Sequence, residues 1–263
     1  MIEVRHPADA RVDDYRALTT ADRRPDRPGG KGLVIAEGVI VVRRLLASRF
    51  PVRSIMGVPR KLAELSPETL DVPVYAVSAE VMAEVVGFHL NRGVLAVADR
   101  PPALPVDDVV DGARTLAVLE GVGDHENLGA LFRNAAAFGV DGVLLGTGCS
   151  DPLYRRSVRV SMGHVLGVPF TSLAPWPDGL KLLRDRGFRV LAMTPSESAV
   201  PLADAAGAGR VAVLLGSEGP GLTAEAIAAA DAAVRVPMAD GVDSLNVATT
   251  GAVAFYALGG EGR

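Results

Sequence analysis

The chain has 263 residues, 49% of them hydrophobic and 22% charged, and a net charge of −4. That is ample for one large domain or two ordinary ones, and it is not the composition of a disordered protein. No apolar run approaches the ~18 residues of a spanning helix, the N-terminus MIEVRHPADARVDD carries no apolar signal-peptide core, and the single Cys149 excludes an internal disulfide. A cytoplasmic protein with no membrane partner is expected. Net negative charge argues against nucleic acid, but its distribution argues back. Residues 1–61 hold 13 Lys and Arg against 7 Asp and Glu, net +6, which leaves −10 for the remainder. One basic patch is enough for RNA, because affinity depends on local phosphate neutralisation.

In chain order, residues 8–19 read as a helix, followed by a basic, breaker-rich segment at residues 23–31 that is either a solvated loop or an RNA-contacting one. A strand is expected at 33–36. A helix at 37–48 follows, with Val39, Val42, Leu45 and Leu46 inward and Arg43, Arg44 and Arg49 at its exposed end. Those arginines suit a helix C-terminus electrostatically or an RNA phosphate equally well. Strands near 52–57, 73–77 and 93–98 and helices near 60–65 and 78–86 complete a small α/β unit, with His89 and Arg92 expected in solvent. The Pro- and Asp-rich stretch RPPALPVDDVVDG reads as a linker. The expected organisation is therefore a domain at 1–100, a linker at 101–113 and a second domain at 114–263.

From Thr115 onward strands and helices alternate: strands at 115–120, 142–145, 188–193, 211–215 and 233–236, with helices at 128–138, 154–162, 179–186, 223–229 and 244–258. Such alternation predicts a parallel sheet with helices on both faces. One stretch organises it: LEGVGDHENLGALFRNAAAFG, residues 119–139. It reads as a strand end, a glycine-containing loop, Asn127 as helix N-cap, an apolar helical stripe and Gly139 past the end. Arg133 lies off the stripe, and helical side chains lean toward the N-terminus, so it can reach back toward the loop. Ligands of open α/β sheets sit at such strand ends. Two stretches echo it: VAVLLGSEGPGL (211–222), with Glu218 among glycines, and VRVPMADGVDSLNVATTGAVAFYAL (234–258), with Ser244, Leu245 and Asn246 at a helix start.

In this order the three stretches resemble the three motifs of the SpoU class of RNA ribose 2′-O-methyltransferases, in the SPOUT superfamily, over roughly residues 115–258. The resemblance implies a parallel sheet closed by a deep trefoil knot, a homodimer with active sites at the subunit interface, and S-adenosylmethionine as cofactor. It implies that Arg133 activates the ribose hydroxyl and that Asn127, Glu218, Ser244 and Asn246 serve the same site. Asn127 and Ser244 are equally readable as simple helix caps. The cofactor positions that match are Gly216, Val236 and Leu245, with Thr194 and Met238 as neighbours; residue type alone would put Val236 and Leu245 in the core. Gly216 suits a close backbone approach. The pieces LVIAEGVIVVRRLL and LNRGVLAVADRPP resemble, less strongly, the ribosomal-protein-like RNA-binding domain that many SpoU-class enzymes carry. RNA is the expected partner, rRNA ahead of tRNA, through Arg155, Arg156 and Arg159 of DPLYRRSVRVSMGHVLGVPF and through Arg43 and Arg44. His164 reads as structural. One departure from the family is His125, where a proline usually stands two positions before the asparagine.

Moving a methyl group to a ribose hydroxyl requires the hydroxyl oxygen and methyl carbon in line and assistance in removing a proton. No metal is required, and the sequence holds no His/Cys cluster of metal-ligand spacing. A dinucleotide-binding fingerprint fails at its third glycine, where Glu126 stands, and no P-loop occurs. The remaining rivals are a catalytically inactive RNA-binding protein on the same fold and a tRNA-directed methyltransferase.

Overall fold

The structure, a computed structural model, describes residues 1–18, 32–205, 207 and 209–258. It divides into two compact units, Met1–Pro102 with Leu153–Gly167, and Ala103–Pro152 with Val168–Arg263. No helix among the described residues is long and apolar enough to cross a membrane. The basic segment at 23–31 lies outside the described residues.

The first unit is a five-stranded mixed sheet. Its elements are β1 (Ile2–Glu3), β2 (Leu33–Glu37), α1 (Val39–Leu46), β3 (Val52–Gly57), α2 (Pro59–Ala63), β4 (Val74–Ala76), α3 (Ala79–Val86) and β5 (Val94–Asp99), with strand order β1-β4-β3-β5-β2. β5 runs antiparallel to both neighbours. The helix expected at 8–19 is only a six-residue 3-10 turn, Ala10–Tyr15. Its polar side chains bond locally instead: Asp9 accepts from the Arg11 N–H, and the Arg16 guanidinium donates to Asp13 and to the Asp9 carbonyl. Such bonds compete with helix propagation. In α1 the inward residues are Val41, Val42 and Leu45, while Val39 and Leu46 are half-buried. The chain turns into this helix at Gly38, whose φ of 92° favours glycine. His89 is exposed. The Arg92 side chain is 40% exposed, and its guanidinium lies 3.8 Å from the Glu37 carboxylate.

The second unit is an all-parallel seven-stranded sheet, as the alternation predicts. Its elements are α4 (Val106–Val110), β6 (Thr115–Leu119), α5 (His125–Ala137) and β7 (Gly142–Leu145); then, after the excursion of Leu153–Gly167 with α6 (Arg155–Val160) into the first unit, β8 (Phe170–Ser172), α7 (Leu180–Asp185), β9 (Phe188–Met193), β10 (Val200–Pro201), α8 (Leu202–Ala205), β11 (Arg210–Leu215), α9 (Ala224–Ala229), β12 (Ala232–Arg235) and α10 (Val247–Leu258). Strand order is β10-β12-β9-β11-β6-β7-β8. On one face Leu116, Val118, Val190 and Leu214 pack with Val109, Leu180, Leu183 and Ala226 of helices α4, α7 and α9. On the other lie α5 and α10, where a Cβ on Gly251 would stand 2.5 Å from Leu131. The linker expected at 101–113 is thus partly helical: α4 buries Val109 and Val110 in the core of the second unit. An apolar pair outweighs the Pro- and Asp-rich composition around it. β8, β10 and α8 have no counterpart in the sequence reading, because two to four residues are too few to display a period.

Candidate active site

Because every strand of the second sheet runs the same way, the loops after β12, β9, β11 and β6, four adjacent strands, gather at one edge. Open α/β sheets place ligands there. A cavity of about 380 Å³ opens at this edge, within the size range of small-molecule sites. Thr194, Gly216, Val236, Met238 and Leu245 all line it, together with Glu218, Ser244 and Asn246. Val236 is half-exposed and Leu245 is 37% exposed, so neither belongs to the core that its residue type suggests.

Asn246 joins the motif stretches. Its side-chain Nδ2 donates to Asn127 Oδ1 at 2.8 Å and to Glu218 Oε1 at 2.5 Å. Its Oδ1 accepts from the backbone N–H groups of Ala248 and Thr249, at 3.0 and 3.1 Å. Asn246 therefore caps α10, which begins at Val247 rather than at Ser244. Ser244 is thus not the cap of α10, and Asn127 is not the cap of α5. Asp124 caps α5, accepting from Glu126 N–H and Asn127 N–H at 2.7 and 2.9 Å. The apolar stripe begins at Leu128, which makes Asn127 look like the boundary, but an acid three residues upstream was a cap signal as well. With Asp124 in that role, the Asn127 side chain turns to Asn246.

Arg133 is on α5, exposed, and makes no hydrogen bond or ion pair among the described residues. No bond joins it to Asn127, Glu218 or Asn246, so the expected reach back to the loop is not seen within this chain. Six residues separate Arg133 from Asn127, which puts it about 9 Å further along the helix axis and on a different face. Glu218 takes the Asn246 amide instead of the guanidinium.

The arginines of the first unit are largely committed to protein acceptors. Arg43 donates to the Glu64 carbonyl at 2.5 Å, and Arg44 donates to the Met162 carbonyl. Arg155 Nη1 lies 3.2 Å from Glu37 Oε2, its guanidinium stacks 5.0 Å from the Phe88 ring centre, and burial lowers its pKa against the opposing pull of Glu37. Arg155 is thus an internal ion-pair partner rather than a free phosphate contact. Arg156 is exposed and Arg159 half-buried on the same helix.

Two further residues, to which the sequence assigned no role in the site, lie just past β6 and β7. Glu120, 3% exposed, accepts from Trp176 Nε1, Thr223 Oγ1 and the Thr223 N–H. Cys149 donates its thiol to the Leu119 carbonyl, and burial raises its pKa.

The motif loops after β11 and β12 meet at this cavity, and Asn246 ties them to Asn127 of the first motif stretch. The SpoU rRNA Methylase family matches residues 114–256, and the chain belongs to it: it is an RNA methyltransferase of SpoU type. Among its relatives, a tRNA/rRNA methyltransferase of Mycobacterium tuberculosis, itself uncharacterized, is 59% identical over 259 residues, spanning 97% of this chain and 90% of that protein. The 23S rRNA (guanosine(2553)-2′-O)-methyltransferase of Bacillus subtilis is 26% identical over 99% of this chain and all of its own. The solved AdoMet-bound rRNA methyltransferase of Sinorhizobium meliloti superposes with a TM-score of 0.82 at 25% identity, covering 97% of this chain and 96% of that one.

Proposed function

We propose that this protein transfers a methyl group from S-adenosylmethionine to a ribose 2′-hydroxyl of RNA, with rRNA favoured over tRNA. The observation that carries the reading is Asn246, bonded at once to Asn127 and Glu218 on the wall of the 380 Å³ cavity. The cavity residues fit the cofactor in kind. At Gly216 the cavity wall is main chain without a side chain, because a Cβ there would stand 2.4 Å from the backbone of Gly221 and Leu222. Backbone groups of Gly216, Val236 and Leu245 hold adenine and ribose, with Thr194 and Met238 beside them. Thr194, Gly216 and Val236 to Leu245 come from three loops, after β9, β11 and β12, which suits a cofactor bound mainly by main chain.

When bound, S-adenosylmethionine supplies a methyl group already activated by its sulfonium. What remains is the hydroxyl, nearly fully protonated at neutral pH. Arg133 orients the hydroxyl through its guanidinium N–H groups and stabilises developing negative charge on its oxygen. The proton passes to a substrate phosphate. Asn127, Glu218, Ser244 and Asn246 hold the site in register. The exposed, unpaired state of Arg133 fits a group that meets its partner only on assembly, and a homodimer with sites at the subunit interface and a knotted C-terminus is part of this reading. Arg156 and Arg159, with Arg43 and Arg44 less available, supply charge for RNA phosphates in the first unit.

Methyl transfer from labelled S-adenosylmethionine to total cellular RNA, run beside Arg133→Ala, tests the proposal. The expected outcome is label at ribose 2′-O positions, reduced by the mutation at least about a hundredfold. Label on a base, or cofactor binding with no transfer to any RNA, would overturn it in favour of another target atom or of an RNA-binding protein without activity.

A further inference from the structure

The loop after β11 is closed on itself. It leaves the strand at Gly216 and returns at Leu222, where the two backbones touch so closely that a Cβ on Gly216 would lie 2.4 Å from Leu222 N and Gly221 C. Between them Ser217 and Gly221 form a bridge, with the Gly221 N–H donating to the Ser217 carbonyl at 3.1 Å. Glu218 sits at the tip of this loop, and Gly216 forms part of the cavity wall. The outgoing end is held by the β11 ladder. The returning end is held at Thr223 by a single buried carboxylate, Glu120: Thr223 N–H donates to Oε2 and Thr223 Oγ1 to Oε1, both at 2.8 Å. Trp176 Nε1 donates to the same Oε1 at 2.6 Å. The indole is in turn packed on Gly146, where a Cβ would stand 2.6 Å from the ring.

We propose that Glu120 is a positioning residue for the cofactor wall: by holding Thr223 it sets where Gly216 and Glu218 stand. The inference rests on the reading of this cavity as the S-adenosylmethionine site. The chemistry selects a carboxylate. Three donors converge on its two oxygens, so an acceptor-only group satisfies all of them. A glutamine of the same shape turns an N–H₂ toward either the indole N–H or the Thr223 N–H, and two donors cannot face each other around this buried side chain without one losing its partner. Aspartate, one methylene shorter, cannot span to both sides. Any movement of Thr223 reaches Leu222 and Gly221 within two residues, and these lie against Gly216 with no slack.

The test is the affinity for S-adenosylmethionine by calorimetry, with KM and kcat for methyl transfer, in the full chain. Glu120→Gln raises the cofactor Kd and KM by about tenfold. Trp176→Phe, which unloads the same carboxylate but leaves both Thr223 bonds, keeps Kd within about twofold even if it lowers Tm to a similar extent. A role in fold stability alone would lower kcat through loss of folded protein and leave the Kd of the folded fraction as it is. An unchanged Kd in Glu120→Gln, or parallel losses in both variants, overturns the proposal. If Glu120→Gln does not fold, Thr223→Val removes the hydroxyl bond alone, and wild-type affinity there overturns it. Gly216→Ala separates the two readings. Undiminished binding in that variant means the cavity is not the cofactor site, whereas lost binding there with normal binding in Glu120→Gln condemns only the positioning role.

Discussion

Each of the two sheets ends a central or edge strand on a buried glutamate, and the two are held in different ways. Glu37 closes β2 and faces charged partners, Arg155 at 3.2 Å and Arg92 at 3.8 Å. Glu120 follows β6 and is held, among the described residues, by neutral donors, an indole and a threonine. The first arrangement fastens one piece of chain to another: the excursion Leu153–Gly167 is bound into the first unit by α6, whose first residue is Arg155. The second sets the placement of a loop. A guanidinium offers Coulomb attraction that tolerates small shifts, whereas three hydrogen bonds from neutral donors onto two carboxylate oxygens depend on direction. The buried carboxylate in one unit is therefore a fastening, and in the other a gauge.

The largest expected effect comes from breaking the fastening. Arg155→Ala leaves the Glu37 carboxylate, 8% exposed, without its nearer partner. Removing one member of a buried pair costs about 3–5 kcal/mol, read by urea unfolding. Replacing both members, as Glu37→Gln with Arg155→Met, recovers most of that loss; equal losses in the single and double variants would show that the two groups are not coupled.

Asn246 sharpens the contrast on the other side, since one amide both caps a helix and links two site residues. Asn246→Ala costs about 1–2 kcal/mol through the lost cap, together with at least about tenfold in methyl transfer through the released Asn127 and Glu218. Asn246→Asp separates the two roles. It keeps acceptors for the Ala248 and Thr249 N–H groups but sets a carboxylate against Glu218. Stability near wild type with activity lost is the expected pairing, measured by thermal unfolding and methyl transfer.

In the first unit Tyr15 is fully buried, its hydroxyl 2.8 Å from Ser54 Oγ. Tyr15→Phe leaves the Ser54 hydroxyl without that partner at a cost of about 1–2 kcal/mol. Burial pushes the Tyr15 pKa above its ordinary value of 10. The folded state therefore keeps the proton where the unfolded state has lost it. Unfolded chains then bind fewer protons, so this contribution is present below pH 10 and is lost as pH rises beyond it. The phenylalanine variant should show a shallower alkaline decline in stability. Smallest is Cys149, whose thiol is raised by burial. At pH 8 it should alkylate more slowly than a free cysteine, about tenfold or more by mass spectrometry, and reaction at the free rate would contradict its burial.

Much of the second unit was legible because its signals are local. The strands at 142–145 and 188–193 are short, mostly apolar runs, the second broken only by Arg189, with breakers at their ends, and the structure returns them with the same bounds. The three loop motifs were legible as residue types in order. Other features were not. Arg43, Arg44 and Arg155 looked like phosphate ligands because nothing near them in sequence could claim them; the acceptors that do are Glu64, Met162 and Glu37, at separations of 21, 118 and 118 residues. Asn127 looked like a cap because the apolar stripe starts one residue later, yet Asp124 had the stronger geometry.

Sequence alone determined the alternation of strand and helix, the parallel sense of the second sheet that follows from it, and which residue types are gathered for chemistry, since these depend on period, propensity and short-range order. Only tertiary structure decided which partners those residues take. Asn246 meets Asn127 across 119 positions and Glu218 across 28, and Glu120 meets Thr223 across 103. The physical reason is that a hydrogen bond is short-ranged and directional, so its partner is set by where the strand ends are brought together and not by distance along the chain.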